Sequence, residues 1–381
     1  MRLLIVLSLL LLRVSRPPVA MSVTPVAFPF GHKTSVPYVI GDGRGGFDVS
    51  WIEGSAKTFS LAHYDGTNWS KAKVIARGNL LENRADYPSI AASGRTVFAQ
   101  WREGWGADGA RIMLARSSDD GKTWTRPVTP HPAMNREFGF VSILPFANGT
   151  ARVVWLDGRA NAHEGEGQTQ LRAATMTAAG TLTDDALVDG RVCDCCQTAI
   201  AMTANGPLTV YRDRSEQEVR DIVVAAPIAG ARGTVVHTDG WVIKGCPVNG
   251  PRLDAQGSKV AVAWFTAADG KQIVNVAFSH DAGATFGTPV RVDAGHGSGR
   301  VDIVLLGDGE SAVVTWSERA GVSSRVMARR VSASGAPGEP QKIGKGVSLG
   351  FPRIARSKEQ ILVAWNGDDG IQLAMIDTRI R

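Results

Sequence analysis

The sequence predicts an all-β protein folded as a single β-propeller of seven four-stranded blades. Three observations predict it. The 381 residues include 43 Gly and ten Trp with 20% charged residues, which suits many short strands and tight turns better than helical bundles. Short β-branched runs ending in an aromatic residue recur at Trp51, Trp101, Trp155, Tyr211, Trp264, Trp316 and Trp365, at intervals of 49 to 56 residues. A second short run precedes each of these, and in most repeats a third and a fourth follow, which is the strand count of a propeller blade.

Taken in order, the chain opens with Leu3 to Leu12, an unbroken apolar run behind Arg2. It is too short for an ordinary membrane span and suits the apolar core of a secretory signal. Residues 1–20 are therefore read as a signal peptide or a short anchor, with cleavage after Ala20, and residues 21–381 as the propeller domain. No later stretch is apolar enough to span a bilayer, so a periplasmic or secreted protein is expected, and a monomer.

The first strand of each repeat, A, is placed at Val36 to Ile40, Tyr87 to Ala91, Phe140 to Leu144, Gln197 to Met202, Pro251 to Asp254, Val301 to Leu305 and Phe351 to Ala355. The aromatic-ended runs are the B strands. Runs such as Ile112 to Ala115, Ile273 to Ala277 and Val326 to Ala328 supply C strands. Arg126 to Val128 and Thr288 to Val292 supply D strands. The seventh repeat ends after its C strand, Gln372 to Met375. Its D strand is expected from Val23 to Val26, which would close the ring and hide a sheet edge.

The net charge of +6, from 42 basic and 36 acidic residues, is small and dispersed, which argues against nucleic acid as a partner.

Two C-to-D turns share a pattern, Ser-x-Asp-x-Gly-x-Thr-Trp/Phe: Ser117, Asp119, Gly121 and Trp124 in one, Ser279, Asp281, Gly283 and Phe286 in the other. The Asp can accept bonds from turn amides, the Gly takes a positive φ, and the aromatic ring plugs between strands. Asp65 to Trp69 and Asp239 to Trp241 read as degenerate relatives. This pattern resembles the Asp-box, or BNR repeat, and the chain is similar to the sialidase-like Asp-box β-propellers over nearly its whole mature length. The resemblance implies the fold, with six blades as the family's usual number and therefore the alternative count. It places the Asp-box turns on the face away from the active site.

That resemblance also implies a site. In such propellers the B-to-C and D-to-A loops share one face, where charged residues from distant repeats gather: Arg102, Arg159, Arg212, Arg214 and Arg319 are candidate ligand-binding residues. A funnel lined with arginine attracts carboxylate, phosphate or sulfate groups. Trp105, outside the repeat positions, is a candidate stacking platform. The expected partner is an anionic glycan, another anionic small ligand, or a protein docking at the rim.

Sialidase activity itself would need an Arg-Ile-Pro motif and a late Tyr nucleophile. Neither is found: Phe351-Pro352-Arg353-Ile354 has the wrong order, and Tyr211 is the last Tyr. Asp157, Asp213 and Glu318 remain candidate acids for a different glycosidase, a chemistry that needs paired carboxylates.

All four cysteines fall in two adjacent D-to-A loops, Cys193, Cys195 and Cys196 in one and Cys246 in the next. An exported chain with an even number suggests disulfides, for which three pairings are open. Neighbouring Cys195 and Cys196 should each reach elsewhere. The alternative is a copper or zinc site made of the same thiols. His131, His163 and His296 are weaker candidate ligands, and Gly-Glu-Gly around Glu166 reads as a flexible loop.

Overall fold

The computed structural model describes residues 21–54, 57–105, 109–161, 167–335, 337–347 and 350–378. The segment 1–20, His163 and Glu166 lie outside them. Seven antiparallel sheets follow one another along the chain, each built from consecutive strands apart from the last. The fold is a seven-bladed β-propeller, and the count of seven displaces the alternative of six.

The A strands are Thr34–Gly41, Ser89–Ser93, Phe138–Pro145, Ala199–Thr203, Arg252–Gln256, Asp302–Leu305 and Arg353–Ser357. The B strands are Phe47–Glu53, Thr96–Trp105, Ala151–Asp157, Gly206–Arg212, Lys259–Thr266, Ser311–Ala320 and Gln360–Gly367. They take the middle of each sheet because β-branched and apolar residues dominate both of their faces.

Ring closure follows the sequence reading: Ser22–Val26 pairs antiparallel with Gly370–Asp377, in a register that sets Ser22 opposite Asp377 and Val26 opposite Leu373. The first and last described strands thus share one sheet, which removes the open edge that a missing strand would leave.

Two expectations are corrected. Blade 2 has three strands, because Arg126 to Val128 contributes only one bridge, Val128 to Leu114. Val128 exchanges both hydrogen bonds with Leu114, and Pro130, at the next hydrogen-bonding position, has no N–H to extend the ladder. Asp239 to Trp241 is not a C-to-D turn either: it follows the D strand Thr234–His237 and so lies on the opposite face.

The six B-strand tryptophans and Tyr211 are all buried, and the apolar clusters around them draw on neighbouring blades. Trp316 of blade 6, for instance, shares a cluster with Phe265, Val274 and Val276 of blade 5. Their polar atoms are matched as well. Trp101, Trp155 and Trp316 donate their indole N–H to the acid two residues on, Glu103 at 2.9 Å, Asp157 at 2.7 Å and Glu318 at 3.2 Å. The strand period of two puts both side chains on one face. Trp264 donates to Asp239 at 2.7 Å, and Tyr211 to Asp189 at 2.8 Å.

Successive blades are also clasped near the channel. Asp86, Gln197 and Asn249 each accept a backbone N–H from the beginning of the following blade, those of Phe140, Gly250 and Arg300, at 2.7, 2.8 and 2.8 Å. Gly139 and Gly250 leave room for this approach, since a Cβ at either position would collide with Asp86 or Gln197.

Candidate functional site

Alternating connections put the B-to-C and D-to-A loops on one face of the ring and the C-to-D turns on the other. On the C-to-D face, Asp119 accepts hydrogen bonds from the Ser117 and Thr123 hydroxyls, both at 2.7 Å, and from the Lys122 and Thr123 amides at 3.1 and 2.9 Å. Asp281 does the same with Ser279 and Thr285. Gly121 and Gly283 take φ of +76° and +89°. Trp124 packs on the cluster shared by blades 1 and 2, and Phe286 on that of blades 4 and 5. These turns hold blades together, and their two aspartates are matched by donors of their own turn.

The opposite face is organised around the D-to-A segment 241–250, which separates two clefts. Cleft I, of about 250 Å³, is lined by Asp194, Arg214, Arg220, Lys244 and Cys246, among others. Cleft II, of about 360 Å³, is lined by Trp241, Asn249, Phe265, Ser298, Arg300 and Arg319, among others.

The cysteines form two disulfides, Cys193–Cys196 and Cys195–Cys246, with Cα separations of 5.7 and 6.0 Å. As expected from their adjacency, Cys195 and Cys196 reach different partners. The Cys195–Cys246 bond ties the loop of blade 4 to segment 241–250, so both clefts share a covalently fixed wall.

The arginines named from the sequence are not equivalent. Arg102 is buried and paired with Asp86 and Glu137, both at 2.9 Å. Arg159 grips Asp157 through Nε and Nη2 and also reaches Asp185 at 3.2 Å. Arg212 is fully buried and donates to the carbonyls of Arg220, Asn249 and Phe265. Burial pulls its pKa down to about 9, which still leaves it cationic at neutral pH. These three act as cross-ties.

Arg214 and Arg319 line the clefts. Arg214 forms a fork with Glu218 and points Nη1 at Asp194, 3.4 Å away. Arg319 is exposed and has no side-chain hydrogen bond or ion pair among the described residues. Trp105 lies at the end of its B strand, 6.0 Å from the Arg111 guanidinium, and lines neither cleft.

The candidate acids also separate. Asp157 is fully buried and accepts from Trp155 and Arg159. Glu318 is buried on the Trp316 indole. Asp213 is half-buried, and desolvation, with Asp189 and Asp221 nearby, raises its pKa to about 6. His131 stacks on Phe138 at 3.6 Å and receives the Ile112 amide, while burial lowers its pKa, so it serves the core. His296 is exposed.

Three features lie outside the candidate residues named from the sequence, the first of them a rim arginine that the D-to-A loop reading already places there. Arg300 lines cleft II beside Arg319, stacks 5.7 Å from the Phe351 centroid and has a buried Nε without a partner. Burial and the neighbouring Arg319 charge together lower its pKa. Arg220, at 2% exposure, leaves Nε and Nη1 without a hydrogen-bond partner beside cleft I.

The third is a charged knot on the inner strands. Arg252 binds Asp302 at 2.9 Å and the Tyr38 hydroxyl at 3.3 Å, and Arg353 reaches Asp302 at 3.4 Å while lying 4.1 Å from the Tyr87 centroid. Arg252, Asp302 and Arg353 are the first residues of three successive A strands, so laying the repeats over one another would have exposed this column.

No protein-family model matches the chain, and no curated protein matches it. Solved structures do. A protein of unknown function from Dyadobacter fermentans aligns over 94% of this chain and 98% of its own, at 13% identity and a TM-score of 0.53. AofleA from Arthrobotrys oligospora aligns over 85% of this chain and 90% of its own, at 11% identity and a TM-score of 0.51. The NanB sialidase from Streptococcus pneumoniae aligns over 93% and 94%, at 9% identity and a TM-score of 0.46. The neighbours thus include a sialidase, and also an ulvan lyase at a TM-score of 0.43. At these identities the likeness establishes the propeller fold and does not distinguish a binding protein from an enzyme.

Proposed function

We propose that this protein is an exported, monomeric binding propeller whose ligand site is the arginine-rich, cysteine-tied rim, and that the ligand is an anion borne by a glycan or another small molecule. The observation that carries this reading is the pair Arg300 and Arg319. Two guanidinium groups share one cleft, one of them partly buried, with no acid among the described lining residues. Bringing like charges together and desolvating one is unfavourable unless an anion arrives to bridge them. Asn249, Ser298, Ser323 and Ser324 add neutral hydrogen-bonding groups suited to a polyhydroxylated ligand. The glycan class comes from the resemblance of the two Ser-x-Asp-x-Gly-x-Thr turns to Asp-box propellers.

A glycosidase has weaker support. Asp157 and Glu318 are each engaged by an indole N–H, and a two-carboxylate mechanism needs an acid and a base free to act together. Asp213, whose proton affinity is raised toward neutrality, has no second acid shown to act with it.

The test is calorimetric titration with sialylated, uronate-bearing and sulfated oligosaccharides, using the native chain and Arg300→Ala/Arg319→Ala. Each charge-assisted hydrogen bond contributes about 1.5–3 kcal/mol, so the double variant should bind at least ~10-fold more weakly. Failure of all three ligand classes to bind, or equal binding by the double variant, would overturn the proposal.

A further inference from the structure

The cysteine cluster has a property that stapling does not explain. Cys193–Cys196 closes a loop of only a few residues, and a bond across so short a loop constrains the unfolded chain little. It nevertheless packs against the second disulfide. The sulfurs of Cys193, Cys195 and Cys196 all lie within 4.8 Å of one another, and that of Cys246 is bonded to Cys195. Four thiolates around a zinc ion, at about 2.3 Å each, would sit about 3.8 Å apart. Three of the four sulfurs are therefore already gathered close to the size of one coordination sphere, and the fourth is held by its bond to one of them.

The surrounding charge fits as well. A zinc ion with four thiolates carries two net negative charges. Cations of the opposite sign gather beside it: Arg214, Arg220 and Lys244 line cleft I, Lys244 two residues before Cys246, and Arg191 joins Arg214 and Arg220 on the single Glu218, at 3.0, 3.0 and 2.7 Å. Against these four cations stand Glu218 and Asp194, with Asp213 near Arg191. Arg220, buried, with Nε and Nη1 lacking a hydrogen-bond partner among the described residues and Nη1 3.9 Å from Asp194, lines the same cleft as Cys246. Cys193 and Cys196 are buried, Cys195 is half-buried and Cys246 is exposed, so a path leads in from the cleft.

We propose that Cys193, Cys195, Cys196 and Cys246 form a convertible centre: two disulfides when oxidised, and a four-thiolate site for one thiophilic d10 cation such as Zn²⁺ when reduced. In the conversion a dithiol reductant supplies two electrons and two protons to each S–S bond and is itself oxidised to a disulfide. The cation then displaces the four thiol protons and forms four metal–sulfur bonds. This inference stands apart from anion binding in cleft II.

The experiment reduces the full chain with a dithiol, removes the reductant anaerobically, adds Zn²⁺ and desalts. The metal is then counted by mass spectrometry, and a parallel Co²⁺ sample is examined for its sulfur-to-metal charge-transfer band. One retained zinc per chain and a four-thiolate cobalt spectrum are expected, both lost in Cys193→Ser/Cys196→Ser, a variant that keeps the inter-loop disulfide when oxidised. Circular dichroism follows the fold. If reduction unfolds the chain, Zn²⁺ should restore it. Reduced chain that retains no zinc, that Zn²⁺ fails to refold, or that holds zinc equally well in the double variant would overturn the proposal.

Discussion

On the face bearing the C-to-D turns, Asp119 and Asp281 each take hydrogen bonds from within their own turns, and both carboxyls are held well below their usual range. On the opposite face Arg300, Arg319 and Arg220 keep donors with no hydrogen-bond partner among the described residues. The same ring thus carries satisfied acids on one side and available cations on the other. A fold needs each buried charge to be matched internally. A binding face departs from that rule where a ligand completes the match. Residues that obey the rule should therefore matter for stability, and residues that break it should matter for binding.

The largest effect is expected at the channel knot. Asp302→Ala strips Arg252 and Arg353 of their shared carboxylate, and breaking such a buried pairing costs about 3–5 kcal/mol. Chemical denaturation would measure it, and a loss near zero would mean that the knot is already open to solvent.

Next comes Asp157→Ala, which removes the acceptor of the Trp155 indole and of Arg159. A loss of about 2–3 kcal/mol is expected from the unsatisfied donors. If the variant instead kept its stability while a glycan-cleaving activity disappeared, Asp157 would belong with the functional residues.

The two faces should also respond oppositely to pH. Asp281 has a folded pKa lowered from 3.8 to about 2, so its stabilisation is present above pH 3.8 and is lost as pH falls through about 2. Asp213 has a folded pKa raised from 3.8 to about 6, so it binds its proton more tightly when folded, and stability declines as pH rises from 3.8 to about 6. Melting curves across pH 2–7 for Asp281→Asn and Asp213→Asn check both signs. The first variant should flatten the acid limb, and the second should remove the decline. Matching slopes would dissolve the contrast.

The smallest effect on stability belongs to Arg319→Ala, within about ±0.5 kcal/mol, because the side chain is exposed and makes no internal bond. Relief of Arg300 could make the sign favourable. A marked destabilisation would show that Arg319 is a tie after all.

Comparison of sequence and structure divides along physical lines. The repeat of β-branched runs ending in Trp was legible because burial at the middle of every blade imposes the same residue types each time. The Ser-x-Asp-x-Gly-x-Thr turns were legible because their hydrogen bonds close within a few residues. The candidate site was legible only in outline: the right loops and the cysteine cluster stood out, though not its pairing, while Arg102, Arg159 and Arg212 looked as available as Arg319. Nothing local distinguishes an arginine tied to carbonyls 8 to 53 residues away, as Arg212 is, from one facing a cleft.

The sequence by itself therefore determined the blade repeat and the closing strand near the N-terminus, both consequences of strand period and short-range turn chemistry, while the face on which loops gather came from the resemblance to Asp-box propellers. Only the tertiary structure decided which charges are matched. Asp157 and Glu318 became indole acceptors, Asp302 the partner of two arginines, and Arg300 with Arg319 an uncompensated pair, because electrostatic matching depends on distance in space between blades, and that distance is fixed only when the ring closes.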